Sequence, residues 1–152
     1  MMIYIGADHR GFALKGQLKM FLRDSEHEAI DIGAESFVQN DDYPDFASEV
    51  GKKVSENPNE NRGILLCGSG VGVDIVANKF SGVRSVLGFS KEQVASARRD
   101  DDVNVVSIAA DYVTQKAAQD IVLAFLETSF SGEERFLRRL QKIDRIEQSL
   151  RE

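Results

Sequence analysis

The residues best suited to chemistry lie in Cys67-Gly68-Ser69-Gly70-Val71-Gly72, where the chain's single cysteine runs into a glycine-rich loop. Closely spaced glycines let successive backbone N–H groups converge on one anionic oxygen, helped by the start of a following helix. A cysteine entering such a nest sits in a field that favours its thiolate, which can attack an electrophile or take a proton from carbon. Three common uses of a glycine loop fail on spacing. A cysteine phosphatase loop needs an arginine six positions after its cysteine, and this chain has Val73 there. A nucleotide phosphate loop closes on Gly-Lys-Ser/Thr, a triplet that does not occur. A dinucleotide fingerprint reads G-x-G-x-x-G with an acid at the end of the next strand. Here the loop is G-x-G-x-G, and the next strand ends in Gly88-Phe89-Ser90. The pattern alone leaves two roles open for Cys67: a proton-transfer base in an anion-holding loop, or a small apolar residue closing a buried strand above a simple turn. Asp8-His9 is open in the same way, as site residues or as a cap for the helix that follows.

These side chains need a scaffold. Apolar runs predict strands at Ile3 to Ala7, Ala29 to Ile32, Ile64 to Cys67, Val83 to Phe89 and Val105 to Ala109. Amphipathic stretches predict helices over Ala13 to Arg23, Asp45 to Ser55, Val71 to Phe80 and Thr114 to Thr128, with a last one over Glu133 to Leu150. Ser90-Lys91-Glu92-Gln93 has the form of a capping box, so another helix starts there and ends near Asp101. Short strands that are apolar throughout, alternating with helices, predict an α/β fold. The expected arrangement is a three-layer α/β/α, Rossmann-like one, with a five-stranded parallel sheet and an extra C-terminal helix. In such sheets the ligand site lies beyond the carboxyl ends of the strands. Three polar clusters fall there: Asp8-His9-Arg10 after the first strand, Cys67 to Gly72 after the third, and Asp111 after the fifth.

Bulk properties narrow the setting. The 152 residues suffice for one domain with a real core, and residues 1–152 are read as that single domain. A formal charge of −6 argues against a nucleic-acid partner. No apolar stretch approaches the roughly 20 residues of a membrane-spanning helix, so no membrane partner is expected. One cysteine cannot form an internal disulfide, and the chain opens directly on the strand-like Met2-Ile3-Tyr4-Ile5-Gly6. A cytoplasmic location is expected.

Taken together, the clusters resemble the type B ribose-5-phosphate isomerase family, which includes the subunits of galactose-6-phosphate isomerase. The resemblance runs through Gly6-Ala7-Asp8-His9-Arg10-Gly11-Phe12, Asp42-Tyr43-Pro44, Gly63 to Gly72, Ala77-Asn78-Lys79 and, less completely, Asn104-Val105-Val106. It implies interconversion of aldose and ketose phosphates through a cis-enediolate, with neither metal nor organic cofactor. Cys67 would be the base moving a proton between C1 and C2. Ser69 and the amides around Gly68, Gly70 and Gly72 would hold the enediolate oxygen. In a sister subgroup a glutamate beyond the loop is the base and the cysteine is absent. The corresponding residue here is Val73, so this chain is of the cysteine type. The resemblance further implies that Asp8 and Tyr43 contact substrate hydroxyls and that His9 lies near the phosphate end. It places Asn104 among the substrate-binding residues. Arg135 and Arg139, spaced i,i+4 on the last helix, would clamp the phosphate. Family members share active sites between chains, so a homodimer or tetramer is implied.

Two departures from that family pattern matter. The histidine that serves ring opening falls at Asp100, within Arg98-Arg99-Asp100-Asp101-Asp102, and the chain's only histidines are His9 and His27. A phosphate-contacting arginine after the fifth strand is replaced by Asp111. Three readings follow. Asp100 or a water replaces the histidine; or the substrate, such as a tetrose phosphate, needs no ring opening; or the chain is a sugar-phosphate-binding partner subunit without isomerase chemistry. The expectation is an isomerase, with open-chain or tetrose phosphates favoured relative to ribose 5-phosphate more than in histidine-bearing relatives.

Overall fold

The apolar runs become strands because both of their faces are covered. A computed structural model describes residues 1–152. Its strands β1 (Ile3–Ala7), β2 (Ala29–Asp31), β3 (Arg62–Cys67), β4 (Ser85–Gly88) and β5 (Val105–Ala109) form one sheet in the order β2-β1-β3-β5-β4, with every pairing parallel. The helices are α1 (Phe12–Asp24), α2 (Tyr43–Glu56), α3 (Val71–Ala77), α4 (Lys91–Asp101), α5 (Gln115–Glu127) and α6 (Glu134–Ser149). This is the expected three-layer α/β/α, Rossmann-like fold with its extra C-terminal helix.

Side chains on one strand alternate between two cores. Ile64 and Leu66 of β3 face Leu14, Leu18 and Leu22 of α1 and Ile121, Val122 and Phe125 of α5. Leu65 and Cys67 face the other way, onto Ala47, Val50 and Val54 of α2 and Val73 and Ala77 of α3. Phe125 is fully buried, and burial of such a side chain stabilises the fold by about 1.5–3 kcal/mol. The alternation also sets where the sulfur points: toward the layer in which α2 and α3 begin.

Several boundaries differ from the sequence expectation for local reasons. The third helix stops at Ala77, short of Phe80. There the Asn78 side chain turns to accept from Ser85 N at 2.8 Å and donate to Ser85 O at 3.0 Å, tying the helix end to β4. The fourth strand starts at Ser85, not Val83, because Val83 N donates into a turn to Phe80 O and Arg84 N donates to Asn104 Oδ1. The second helix begins at Tyr43, two residues early, with Pro44 in a first-turn position that needs no N–H. Helix α4 starts as the capping pattern indicated, with Ser90 Oγ accepting from Gln93 N at 3.1 Å. The Gln93 side chain reaches Phe89 N and Leu87 O instead of completing the box on Ser90 N.

A buried cation fastens β2 to α1. Lys15 Nζ, with its side chain 3% exposed, donates to Asp31 Oδ1 at 3.0 Å and to Ala34 O at 2.8 Å, while Lys19 Nζ donates to Asp31 Oδ2 at 2.8 Å. Burial pushes the Asp31 carboxyl up, but the hydrogen bonds from Lys19, Lys15 and Gly33 outweigh it and hold the group below its ordinary 3.8. A carboxyl depressed on folding contributes stability above its unfolded value and loses it as pH falls through the folded one. Asp31→Asn is expected to cost about 3 kcal/mol at pH 7, the low end for breaking a buried pair. In denaturant melts, its deficit against the native chain should shrink below about pH 4 as the native carboxyl protonates.

Candidate active site

Strand order places the site. The chain leaves β1 for β2 on one side and, after α2, returns to β3 on the other, so the carboxyl ends of β1 and β3 flank a crevice at the switch point. Asp8 follows β1 directly and Cys67 ends β3. A cavity of about 320 Å³ opens there, lined by Asp8, Arg10, Tyr43, Cys67, Gly68, Ser69, Val71, Gly72 and Ile75.

Cys67 forms the floor. It is 4% exposed, its apolar side resting on the α2–α3 core and its sulfur bordering the cavity. Gly70 N donates to Cys67 Sγ at 3.1 Å, so a peptide dipole points its positive end at the sulfur and stabilises negative charge on it. That geometry requires glycine. Gly70 has φ of 73°, and a Cβ there would sit 2.9 Å from Ala109 N and 2.6 Å from Leu87 Cδ1. Ser69 Oγ accepts from Val71 N at 3.3 Å, which leaves its hydroxyl proton to donate. The N–H groups of Gly68, Ser69 and Gly72 have no acceptor within the chain. A Cβ at Gly72 would lie 2.6 Å from Tyr43 Cζ, so this glycine lets the first residue of α2 lay its ring against the loop.

The turn after β1 supplies the opposite wall. Asp8, 5% exposed, accepts from Arg10 N at 3.0 Å and Gly11 N at 3.1 Å through Oδ1, capping the entry to α1. Its Oδ2 has no protein partner. One oxygen of Asp8 thus serves as the cap, and the other is open on the cavity side. Asp41 Oδ1 accepts from both His9 N and His9 Nδ1 at 2.8 Å, which fixes the proton on Nδ1 and leaves Nε2 as the free nitrogen. The ligand atoms of Asp8, His9 and Asp41 lie within 4.8 Å of one another, a spacing that a divalent ion could span. In this arrangement Asp41 Oδ1 is already taken by the two His9 donors.

Of the residues singled out by sequence, Cys67, Ser69, Asp8, Tyr43, Gly68 and Gly72 line this cavity, Gly70 holds the sulfur, and His9 sits on the adjoining turn. Four others are elsewhere. Asp100 is in the last turn of α4, beside Arg99 Nε at 3.3 Å. Helix α4 runs back from the carboxyl end of β4 to the amino end of β5, so Asp100 lies a strand's length, about 17 Å, from the sulfur's edge of the sheet. Arg135 and Arg139 are exposed in the first turns of α6 and flank the Phe136 ring at 4.6 and 5.6 Å. Helix α6 is tied at both ends to that same amino edge, by Ser131 N to Arg99 O before it and by Glu147 to Gly82 N near its end.

Asn104 corrects the expectation of a substrate contact. It is fully buried before β5, accepts from Arg84 N and donates to Pro58 O and Gly82 O, so its amide is saturated by backbone at the wrong edge of the sheet. Two residues of the site were not assigned to it from sequence. Asp41 adjoins the recognised Asp42-Tyr43-Pro44, and Arg10 sits inside the Asp8-His9-Arg10 cluster. Arg10 Nη2 donates to Asp111 Oδ2, so the acid after β5 faces a cation.

A family model described as Ribose/Galactose Isomerase matches residues 3–143. The chain belongs to the ribose/galactose isomerase family. Consistent with that, the chain is 41% identical over 145 residues to a probable ribose-5-phosphate isomerase B of Mycoplasma genitalium, covering 95% of each protein. It is 37% identical over 149 residues to ribose-5-phosphate isomerase B of Mycolicibacterium paratuberculosis, covering 98% of this chain and 93% of that protein. Among solved structures, the Mycoplasma genitalium enzyme with bound ribulose 5-phosphate superposes with a TM-score of 0.93 at 40% identity, over 97% of this chain and 99% of that one. Type B ribose 5-phosphate isomerase of Trypanosoma cruzi superposes with a TM-score of 0.91 at 37% identity, covering 98% and 99%. As a member of this ribose/galactose isomerase family the chain is an isomerase. No helix is long and apolar enough to cross a membrane.

Proposed function

We propose that this protein interconverts an aldose and a ketose phosphate, ribose 5-phosphate and ribulose 5-phosphate first among them, with Cys67 as the base. One observation carries the reading: the sulfur lies at the cavity floor, receives the Gly70 N–H, and shares that cavity with Asp8. Starting from the ketose, the thiolate takes a proton from C1, the electron pair moves into a C1–C2 double bond, and the C2 carbonyl oxygen becomes anionic. The open N–H groups of Gly68, Ser69 and Gly72 and the Ser69 hydroxyl receive that charge. One such placed donor lowers a barrier by about 3 kcal/mol. The resulting thiol returns the proton to C2, the O1 proton passes to O2 by way of the free Asp8 oxygen, and the sulfur ends as it began.

Ribulose 5-phosphate has its terminal hydroxyl esterified and cannot close a furanose, so this direction needs no ring opening. Ring opening of the aldose is the step for which one chain offers no partner at the cavity, because Asp100 lies at the far edge. A homodimer or tetramer, each chain a single domain working in the cytoplasm, answers that need: Asp100, Arg135 and Arg139 of one copy would reach the cavity of another. Exposed Val71, Ile75, Phe89 and Tyr112, together with Leu137, Ile143 and Ile146 on α6 and Leu150 just after it, support such burial.

The test is incubation with a panel of tetrose, pentose and hexose phosphates in deuterated water. Deuterium entering C1 of ribulose 5-phosphate, or C2 of the ribose 5-phosphate formed from it, is expected, with ribose 5-phosphate reacting more slowly, relative to open-chain substrates, than in histidine-bearing relatives. No exchange across the panel, in a protein that still binds sugar phosphates, would instead make it a binding subunit.

A further inference from the structure

Arg10 and Asp111 meet from turns a hundred residues apart, one after β1 and one after β5. They meet over the glycine that follows the catalytic sulfur: a Cβ on Gly68 would lie 2.6 Å from Arg10 Nε and 2.8 Å from Asp111 Oδ2. Both residues are anchored by their backbones to the site itself. Asp111 N donates to Gly68 O at 3.0 Å, and Arg10 N donates to Asp8 Oδ1 at 3.0 Å. The Arg10 side chain is 59% exposed and its guanidinium hydrogen-bonds only Asp111, so its Nη1 donors are open at the cavity rim.

Depth orders the substrate. The reacting carbons must reach Cys67, which is 4% exposed at the floor. A sugar phosphate entering carbon-first then leaves its phosphate at the rim, where Arg10 stands. Asp111, a carboxylate unfavourable beside a dianion when alone, is neutralised by the guanidinium between them and holds it in one orientation. We propose that Arg10 contacts the substrate phosphate and that Asp111 is its positioning residue. The assignment rests on the sugar-phosphate reading of this site.

The competing role is a latch between two turns, and binding separates the two. Inorganic phosphate is titrated against the full chain and its Arg10→Gln, Arg10→Lys, Asp111→Asn and Arg10→Gln/Asp111→Asn variants by calorimetry. Melting temperatures, and KM and kcat for ribulose 5-phosphate, are measured on the same samples. Arg10→Gln is expected to weaken phosphate binding and raise KM about tenfold, with kcat within about threefold. Arg10→Lys, which keeps the charge but not the planar fork, should fall between native and Gln. Asp111→Asn should weaken phosphate about threefold in the presence of Arg10 and have no further effect in its absence. An unchanged phosphate dissociation constant in Arg10→Gln, whatever its melting temperature, overturns the proposal, as does a native chain that binds no phosphate. A native chain that binds phosphate but shows no turnover fails as an isomerase, while Arg10 is still judged on the phosphate titrations. Normal turnover with Arg10→Gln unaffected removes Arg10 alone.

Discussion

Cys67→Ala is expected to lower kcat for sugar-phosphate isomerisation by at least about 10³-fold while the chain keeps its fold. The sulfur is the only group at the cavity floor that can both accept a proton from carbon and return it. Asp8 stands on the opposite wall, where its free oxygen serves the transfer between O1 and O2, and the neighbouring side chains of Val71 and Ile75 are apolar. The fold should survive because Cys67 is small and ends its strand, so its loss from the α2–α3 core costs about 1 kcal/mol. Cys67→Ser is expected to fail nearly as badly, since a hydroxyl is a far weaker acid than a thiol and the Gly70 dipole cannot make up the difference. Melting curves and deuterium exchange at C1 and C2 on the same preparations decide it. Native-level exchange in Cys67→Ala would remove the sulfur from the mechanism.

Gly70→Ala should damage stability and chemistry together. At φ of 73° a Cβ carries a left-handed penalty of about 1–2 kcal/mol. Its contacts with Ala109 N at 2.9 Å and Ile108 C at 3.0 Å are with backbone of β5, which cannot swing aside as a side-chain tip can. Crowding of that kind adds about 1–3 kcal/mol. Relief requires Gly70 to move, and with it the N–H held 3.1 Å from the sulfur, so kcat should fall about 10²-fold. Gly82→Ala is the control. It shares a φ of 70°, but its Cβ would press on the Pro58 ring at the other edge of the sheet. It should lose stability and keep its kcat. If Gly70→Ala melts early yet turns over normally, the loop is a turn and the amide contributes nothing to catalysis.

The local pattern carried much of the architecture. Apolar runs of four to seven residues between amphipathic stretches specify buried strands and covering helices, because a strand apolar on both faces has no stable alternative to a parallel sheet between two layers. The cap at Ser90 was legible for the same reason: its hydroxyl accepts from Gln93 N, a contact made within one turn. Boundaries that depend on distant partners were not. The end of α3 is decided by Asn78 reaching Ser85, and the start of β4 by Asn104 reaching back to Arg84.

The site divides along the same line. Residue order was enough to place Asp8, Cys67 and the glycines at the carboxyl edge of a sheet, since a βα unit puts the end of each strand and its loop on one side, and it left open whether the cysteine moves a proton or closes a buried strand. It could not pair Arg10 with Asp111 or His9 with Asp41, nor seat Tyr43 on Gly72. The family resemblance set Asn104 beside the substrate, whereas its amide serves the opposite edge. Those facts follow from strand order and the direction of each crossover, which bring together residues as much as a hundred positions apart. Strand order comes from the packing of the whole chain, and no short stretch of it encodes that packing.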